Sequence, residues 1–432
     1  MRILALRNPK AIDVAANTAA GEHSLNVRPV PAKRICMVTH SFYESDNRII
    51  RYAEALMERG DWVEVIALRR SSQLPRHELL NGVLVHRIQD RFGKDEGSPW
   101  SYLWPILRFF VVSAMWLATN GLYQKFDLVH IHNIPDFLIF SAWFAKMRGA
   151  RLILDIHDIV PEFFVSKFGA PPQSLLVCVL RLIEKFSAAM SDHIILSNHL
   201  WLERYSARSA PAQKCSVFIN HVDRQIFQPE MGSLRSGGQL ILFPGGLQWH
   251  QGVDIAIRAF AILKHKLPDA RFHIYGDGSS KRQLVALADE LGLKGSVKFF
   301  DPLSLRAIAE VMANADLGVV PKRADSFGNE AYSTKIMEFM SLGIPVVVSA
   351  TRVDRHYFDE SVVRFFESGN AEELAKAMYE VLTDFELRES MIRNANEYVK
   401  RHSWARNKSR YLQLVDTLTA RRSDSPESIG SL

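Results

Sequence analysis

The chain has 432 residues, of which 47% are hydrophobic and 23% charged, as in a soluble globular protein long enough for two or three domains. A formal net charge of +6 without a dense basic run suits small anionic ligands or an anionic membrane surface and disfavours nucleic acid. Three cysteines, none at metal-ligand spacing, predict buried thiols in a reducing compartment and, with no secretory signal evident, a cytoplasmic location.

The first half of the chain alternates short apolar runs with helical patterns. Residues 1–32 lack such a pattern and predict a poorly ordered extension. A helix is predicted at 47–59, before Gly60. Short buried strands between helices are typical of a doubly wound parallel sheet, so residues 33–222 are predicted to form one Rossmann-like domain. Its strands are predicted at 34–39, 62–68, 127–132, 151–156, 193–197 and 215–219.

The second half repeats this alternation after a polar, glycine-rich break at 232–239. A second Rossmann-like domain is predicted at 223–393, with its clearest helix at 253–265. Ligands in such sheets bind beyond the carboxyl ends of the strands, so two facing domains predict a site in the cleft between them. The strands are predicted at 240–243, 270–275, 295–300, 317–320 and 345–349, followed by a helix at 394–419 and a disordered tail at 423–432.

Residues 99–118 form an aromatic-rich apolar segment that allows two interpretations. Pro105 and Arg108 interrupt it, and a charge near the bilayer centre is costly, which argues against a membrane-spanning helix. The segment is either a helix buried on the first domain or an amphipathic surface in the membrane interface. The second interpretation would suit an enzyme whose acceptor is a lipid.

The stretch at 328–349 carries two carboxylates, Glu330 and Glu338, around the start of a short predicted helix that ends at Gly343. Ser333 or Thr334 can cap the start of this helix. Its free N–H groups would attract a phosphate, and a carboxylate within it can accept both hydroxyls of a ribose. The pattern predicts a seat for a nucleotide diphosphate that faces a sugar.

This motif resembles the Glu-x7-Glu signature of retaining GT-B glycosyltransferases of family 4. Residues 220–229 resemble the junction signature of the same family. The resemblance covers about residues 34–415. It implies a GT-B fold with two facing Rossmann-like domains, a C-terminal helix (394–422) that returns to the first domain, a nucleotide-diphosphate-sugar donor and no cofactor or metal.

The resemblance also implies the donor-binding residues. Two glycine pairs follow predicted strands, and the family's arginine and lysine of the first glycine loop are replaced by Leu247 and Gln251. Because both cations are missing, the charge of the diphosphate must be neutralised by other side chains. The donor residues predicted on these grounds are Gly245, Gly246, Gly276, Gly278, Lys322, Arg323, Ser333, Thr334, Lys335 and Glu338.

In the first domain, His157 ends a strand that resembles the family's strand near the donor sugar. We predict a catalytic role for His157, with Glu330 and Lys335, and the alternative is a histidine satisfied within the sheet. His130 and His132 share one strand face and raise the possibility of a metal, for which the sequence shows no third ligand. The residues predicted on the acceptor side are Asp46, Arg48, His132, Asn133 and Asp158.

The implied reaction is front-side displacement, in which the diphosphate leaves and helps to deprotonate the incoming hydroxyl. Glu338 would hold the ribose, and Glu330 would orient the donor sugar or support positive charge near it. The acceptor would be a saccharide or a lipid-linked saccharide in polysaccharide or glycolipid assembly. Two alternatives stay open, namely a nucleotide-sugar 2-epimerase of the same fold and a non-catalytic nucleotide-sugar-binding subunit.

Overall fold

The computed structural model describes residues 32–91, 99–224, 226–228 and 239–420. The predicted tail, all but the last residue of the predicted N-terminal extension and the end of the predicted junction motif lie outside the described residues. One compact unit, Lys33–Leu432, contains both predicted Rossmann-like domains.

The first domain is an eight-stranded sheet with helices on both faces. Its strands are β1 (Arg34–Thr39), β2 (Trp62–Arg69), β3 (His77–Leu80), β4 (Val83–Asp90), β5 (Leu128–His132), β6 (Arg151–Ile156), β7 (His193–Leu196) and β8 (Cys215–Val217). Its helices are α1 (Asn47–Glu58), α2 (Pro99–Tyr123), α3 (Trp143–Met147), α4 (Val160–Phe168), α5 (Leu175–Met190) and α6 (His199–Arg208). The strand order is β3-β4-β2-β1-β5-β6-β7-β8, and only β3 runs antiparallel to its neighbour.

The second domain is a six-stranded, fully parallel sheet in the order β11-β10-β9-β12-β13-β14. The strands are β9 (Leu240–Pro244), β10 (Arg271–Tyr275), β11 (Val297–Phe300), β12 (Leu317–Val320), β13 (Val346–Ser349) and β14 (Arg364–Phe366). The helices are α7 (Val253–Lys264), α8 (Lys281–Glu290), α9 (Leu305–Ala313), α10 (Thr334–Ser341), α11 (Arg352–Tyr357), α12 (Ala371–Thr383), α13 (Phe385–Arg401) and α14 (Trp404–Thr419).

The parallel register brings several loops to one edge of the second sheet. β9 lies between β10 and β12, and all three strands run in the same direction. The glycine-rich loops after β9 and β10 therefore lie next to each other and next to the start of α10. Strands β12 and β13 are buried at every position because helices cover both faces of the sheet, which explains their unbroken apolar sequences.

The C-terminal segment is two helices and not one. α13 packs on the second domain through Ala395 and Val399, and the predicted boundary at 394 falls inside it. The chain then turns at His402 and Ser403, and α14 packs on the first domain. Tyr411 of α14 is fully buried there, with its ring centroid 4.3 Å from that of Tyr52.

The two domains contact each other closely beside the cleft. Phe327 of the second domain packs in the core of the first domain, 6.0 Å from Trp201 between ring centroids. Asn198, at the start of α6, donates from its side chain to the backbone oxygen of Glu330 at 2.9 Å. These contacts hold the loop before α10 against the first domain.

One cysteine prediction is wrong. Cys36 is buried and Cys215 half-buried, but Cys178 is exposed on α5. The apolar sequence around Cys178 was interpreted as core, whereas the structure places much of that helix surface in solvent.

Candidate functional site

A pocket of about 390 Å³ opens at the sheet edge where the loops after β9 and β10 meet the start of α10. Its lining comes from four separate segments of the second domain. Six of the lining residues were predicted from the sequence as donor-side residues. Those six are Gly245, Gly246, Gly276, Thr334, Lys335 and Glu338.

Glycine is required at two positions of this pocket because backbone and side chains approach closely. A Cβ atom at Gly276 would lie 1.8 Å from the carbonyl oxygen of Gly245, and one at Gly245 would lie 2.4 Å from Cε of Lys335. Gly245 also has a φ of +132°, which L-residues rarely adopt. Gly278 lies in the same turn but packs against the backbone of Leu247, outside the pocket lining.

The start of α10 supplies unsatisfied polar groups. Ser333 is the N-cap residue, its side chain makes no capping hydrogen bond, and its Oγ is buried without a partner among the described residues. The first backbone N–H groups of a helix also lack partners within the helix. This end of α10 can therefore bind an anionic, hydrogen-bond-accepting group such as a phosphate.

Glu338 lies one turn along α10 and lines the pocket. Burial raises the pKa of its carboxyl above the ordinary value, while the nearby Lys335 ammonium and a hydrogen bond from Thr334 oppose that rise. A partly buried carboxylate facing a pocket can accept hydrogen bonds from two neighbouring hydroxyl groups.

Lys335 is the cation that the structure brings to the pocket. Its Nζ donates to Oε1 of Gln251 at 3.1 Å, and its aliphatic chain lies against Gly245. Burial lowers the pKa of Lys335 to about 8, and the Glu338 carboxylate limits the fall. Gln251, where the family usually has a lysine, thus positions a lysine that comes from α10.

The other two predicted donor-side cations require correction, because carboxylates bind them away from the pocket. Lys322 is buried, with Nζ 2.9 Å from Oδ2 of Asp354. The Arg323 guanidinium pairs with Asp254 at 2.7 Å and stacks on Trp249. Neither side chain lines the pocket, and no described contact connects either of them to it.

Part of the pocket wall is apolar and aromatic. Tyr275, at the end of β10, stacks on Phe300 with the ring planes 11° apart and 4.4 Å between centroids. The sequence analysis missed this wall, although Tyr275 ends a predicted strand and Pro302 and Leu303 come shortly after another. A flat apolar wall opposite hydrogen-bonding groups can accommodate a planar ring such as a nucleobase. The remaining wall residues are Pro302, Leu303, Ile308 and Met312.

Glu330 does not line the pocket and pairs with the first domain instead. Arg204 of α6 donates to both of its carboxylate oxygens, at 2.6 and 2.9 Å, and Arg352 approaches Oε1 at 3.3 Å. Arg204 also lies 3.3 Å from Glu162. Sequence analysis identified Glu330 but gave no indication of Arg204, since the two residues are 126 positions apart.

We expect Arg204→Ala to lower the free energy of unfolding by about 2 kcal/mol, because it leaves a buried carboxylate without its bidentate partner. Arg352→Ala is the matched control, since it removes a more exposed arginine from the same carboxylate at longer distance and should cost less than about 1 kcal/mol. Urea denaturation of both variants measures the difference. Equal losses would mean that the contact across the domains does not hold Glu330.

A second charged cluster lies beneath the cleft in the first domain. Asp155 is fully buried and accepts two hydrogen bonds from Arg48, at 2.6 and 2.8 Å. Nδ1 of His132 lies 3.0 Å and Nε2 of His157 lies 3.2 Å from the same carboxylate. Burial opposes ionisation of Asp155, but Arg48 and His157 hold its pKa well below the ordinary value.

The prediction that Arg48 binds acceptor hydroxyls or phosphate is therefore corrected. Arg48 is buried, and its guanidinium is also bound by the carbonyl oxygen of Phe218 at 2.7 Å. His132 is fully buried in the same cluster. His157 keeps part of its surface exposed, and Asp155 raises its pKa although burial acts in the opposite direction.

Asp155 is also the third potential metal ligand that sequence analysis missed. Ligand atoms of His130, His132 and Asp155 lie within 4.8 Å of one another. However, both oxygens of Asp155 bind the Arg48 guanidinium, which already neutralises the buried carboxylate. A divalent cation would have to share this carboxylate with a buried arginine, so these residues do not fit a metal well.

Of the remaining residues predicted for the acceptor side, Asn133 and Asp158 follow β5 and β6, and Asp46 lies at the start of α1. Asn133 links them, donating to Asp136 at 2.8 Å and to the carbonyl oxygen of Asp158 at 2.7 Å. Burial raises the pKa of Asp158 to about 6. Asp46 caps α1 by accepting from the backbone of Ile49. Asp46 and Asp158 are both partly exposed, whereas Asp136 is buried.

Two family models match the chain in agreement with this architecture. The model described as glycosyl transferases group 1 matches residues 226–398, and a glycosyl transferase 4-like domain matches residues 46–221. A D-inositol 3-phosphate glycosyltransferase from Mycobacterium sp. (strain JLS) is 33% identical over 320 residues, which are 70% of this chain and 69% of the relative.

Solved structures show the same arrangement of domains. Sucrose-phosphate synthase from Thermosynechococcus elongatus has a TM-score of 0.74 at 17% identity and covers 89% of this chain and 99% of its own. HepE from Anabaena, solved in complex with UDP-glucose, has a TM-score of 0.67 at 16% identity and covers 89% of this chain and 100% of its own. At these identities the likeness concerns the fold alone, and the predicted GT-B fold is confirmed.

Proposed function

The chain belongs to the group 1 glycosyltransferases, which transfer a sugar from a nucleotide donor, and from this membership we propose that it is a retaining enzyme whose donor nucleotide binds in the pocket at the start of α10. The observation that carries the proposal is the convergence of Gly245, Gly276, Lys335 and Glu338 on one cavity. These residues bring a helix N-terminus, a partly buried lysine and a carboxylate together in one cavity, between two loops that require glycine.

Each part of a nucleoside diphosphate has a complementary wall in this pocket. The base would lie on the apolar side beside Tyr275, and the ribose hydroxyls would donate to Glu338. The diphosphate would lie at the start of α10, where Ser333 Oγ, free backbone N–H groups and the Lys335 ammonium are available. Lys335 supplies the positive charge that the first glycine loop lacks.

The reaction that fits this geometry is front-side displacement. The leaving diphosphate gains negative charge as the glycosidic bond breaks, and Lys335 and the α10 N-terminus stabilise that charge. A diphosphate oxygen then accepts the proton of the attacking hydroxyl. Glu330, held by Arg204 beside the cleft, would orient the sugar or stabilise its positive charge, and the contacts between the domains would exclude water. His157 and Asp158, after β6, would face the sugar and the acceptor.

The acceptor we propose is the hydroxyl of a saccharide or lipid-linked saccharide, used in polysaccharide or glycolipid assembly at the cytoplasmic face of a membrane. Residues 99–118, which belong to α2, would contribute to peripheral membrane association. We propose that the reaction needs no cofactor or metal, since Lys335 and α10 provide the charge stabilisation that a metal would otherwise supply.

We expect Glu338→Gln to raise the donor KM about tenfold to a hundredfold with a small change in kcat, because the ribose is bound equally in the ground and transition states. The assay is nucleotide release from a panel of nucleotide-sugars, including the UDP-glucose bound by HepE, with D-inositol 3-phosphate of the Mycobacterium relative among the acceptors. Glu372→Gln, an exposed position on α12, is the control. An unchanged KM in Glu338→Gln would refute the ribose contact.

A further inference from the structure

Helices α2, α3 and α5 cover one face of the first sheet. Phe109 and Leu117 of α2, Ala145 of α3 and Ala188 of α5 all belong to the same core cluster. The opposite sides of these three helices therefore point away from the sheet, and together they form the outer surface of this part of the domain.

α5 has its apolar residues on the side that faces solvent. Leu175, Val179, Leu182 and Phe186 are spaced by four, three and four residues, which places them in one stripe, and between 41% and 82% of each residue is exposed. On the inward side, Glu184 is fully buried and pairs with Arg208 at 2.6 Å. An amphipathic helix of a water-soluble protein shows the reverse arrangement.

α2 and α3 extend this apolar surface. α3 exposes Trp143 and Met147 one turn apart. Two thirds of the exposed large hydrophobic side chains among the described residues lie between Trp104 and Phe186, although this interval is less than a quarter of the described chain. Such a concentration marks an interaction surface. The exposed residues of α2 are Trp104, Leu107, Val111, Met115, Leu122 and Tyr123.

α2 does not have the surroundings of a helix that crosses a bilayer. Leu103–Tyr123 is long and apolar enough to do so by composition, and only 28% of its most apolar window is buried. Yet Phe109 and Leu117 are fully buried against the sheet. Lipid cannot surround a helix whose one side belongs to a protein core, so only its outer stripe is available to a membrane.

The charges around this surface are complementary to an anionic surface. Glu184 is the only acidic residue in the sequences of α2, α3 and α5, and it is buried. A second copy of the chain placed on this face would bring like charges together, whereas an anionic bilayer would attract them. Arg108, Arg148, Arg181 and Lys185 keep exposed surface, and the partly exposed Lys146 pairs with Asp192 at 3.2 Å.

We propose that the outer surface of α2, α3 and α5 docks the protein on a bilayer that contains anionic phospholipid, with the α5 stripe and the α3 aromatic side chain inserted at the level of the headgroups. α5 is as important as the α2 segment. Like an interfacial membrane helix, this surface has apolar side chains flanked by cations. Because three helices contribute to it, it offers more apolar area to the bilayer than one helix would.

This docking surface continues toward the cleft. What this continuity implies for the acceptor rests on the proposed function. α4 begins next to His157 and Asp158 and packs on α5, and its last residue, Phe168, is exposed beside the apolar surface. Nine helical residues span about 13 Å. A lipid-linked acceptor could therefore keep its hydrocarbon in the bilayer while its sugar enters the cleft.

The test is co-flotation of the full chain with two kinds of vesicle. One is phosphatidylcholine alone, and the other contains about 30% phosphatidylglycerol, so that its surface attracts cations strongly. We expect binding to the anionic vesicles that weakens with salt. Phe186→Glu should reduce vesicle partitioning by about tenfold or more. Phe385→Glu, which changes an even more exposed phenylalanine on α13 of the second domain, should leave vesicle partitioning unchanged.

Three results would overturn the proposal. They are no binding of the wild type to anionic vesicles, equal losses in Phe186→Glu and Phe385→Glu, and a dimer in solution that Phe186→Glu dissociates without any vesicle binding. Nucleotide-dependent thermal stabilisation, measured on the same variants, distinguishes a failure of membrane docking from a failure of donor binding. A variant that loses vesicles but keeps its response to nucleotide shows that docking and donor binding are separate properties.

Discussion

Lys335→Ala should lower kcat/KM for the donor by about a hundredfold to a thousandfold, which is the usual loss when one group that stabilises developing anionic charge is removed. Lys335 is the lysine that lines the pocket, and the family positions that usually carry cations hold Leu247 and Gln251. Steady-state kinetics of nucleotide release measures the loss. Lys376→Ala, a largely exposed lysine on α12, is the matched control and should retain wild-type kinetics.

The pH profile separates a charged role for Lys335 from a structural one. Burial lowers the pKa of Lys335 to about 8, so its positive charge is present below that pH and is lost above it. The kcat/KM of the wild type, which reports the free enzyme, should therefore fall as the pH rises through about 8. Lys335→Arg should remove this alkaline decrease. An identical alkaline limb in both proteins would contradict the assignment.

Asp155→Asn should lower the free energy of unfolding by about 3–5 kcal/mol, because it leaves the buried Arg48 guanidinium without a counter-charge. Urea denaturation measures this loss. Asp90→Asn is the control, since Asp90 pairs with Arg69 at the exposed end of β2, and an exposed ion pair should contribute little to stability.

A double variant tests the cause of this loss. Replacing both partners with apolar residues, in Arg48→Met with Asp155→Leu, removes the unpaired charge and should recover part of the stability. The carbonyl oxygen of Phe218 loses its Arg48 donor, so recovery should be incomplete. A double variant as unstable as Asp155→Asn would indicate that the cluster acts through packing and not through charge.

The donor pocket could be predicted from the sequence because strand order places its parts together. Gly245 and Gly276 directly follow neighbouring parallel strands, and Glu338 lies on a helix whose start and end have clear sequence signals. In a parallel sheet the carboxyl ends of adjacent strands meet, so local patterns were sufficient to locate these residues.

The charged partners could not be predicted, because pairing is decided by residues far apart in the chain. Arg48 and Asp155 are separated by 107 positions, and Arg323 and Asp254 by 69. Arg323 follows a strand just as the pocket glycines do, yet its guanidinium pairs with a carboxylate on α7 and does not line the pocket. A single sequence records no signal for such pairs, which explains why three predicted ligand-binding cations are structural.

The outward apolar stripe of α5 was missed for a different reason. Its sequence has a helical period, and periodicity alone does not show which side faces the core. The orientation is revealed by the exposed apolar stripe and by the buried Glu184–Arg208 pair on the inner side.

The most direct test of the account is to identify the product. Purified wild-type protein is incubated with a panel of nucleotide-sugars and with saccharide and lipid-linked acceptors, and the products are analysed by mass spectrometry and by NMR of the anomeric position. The account predicts a new glycosidic bond with the anomeric configuration of the donor and release of one nucleoside diphosphate. An inverted anomer, a C2-epimerised donor, or nucleotide binding without any transfer would contradict it.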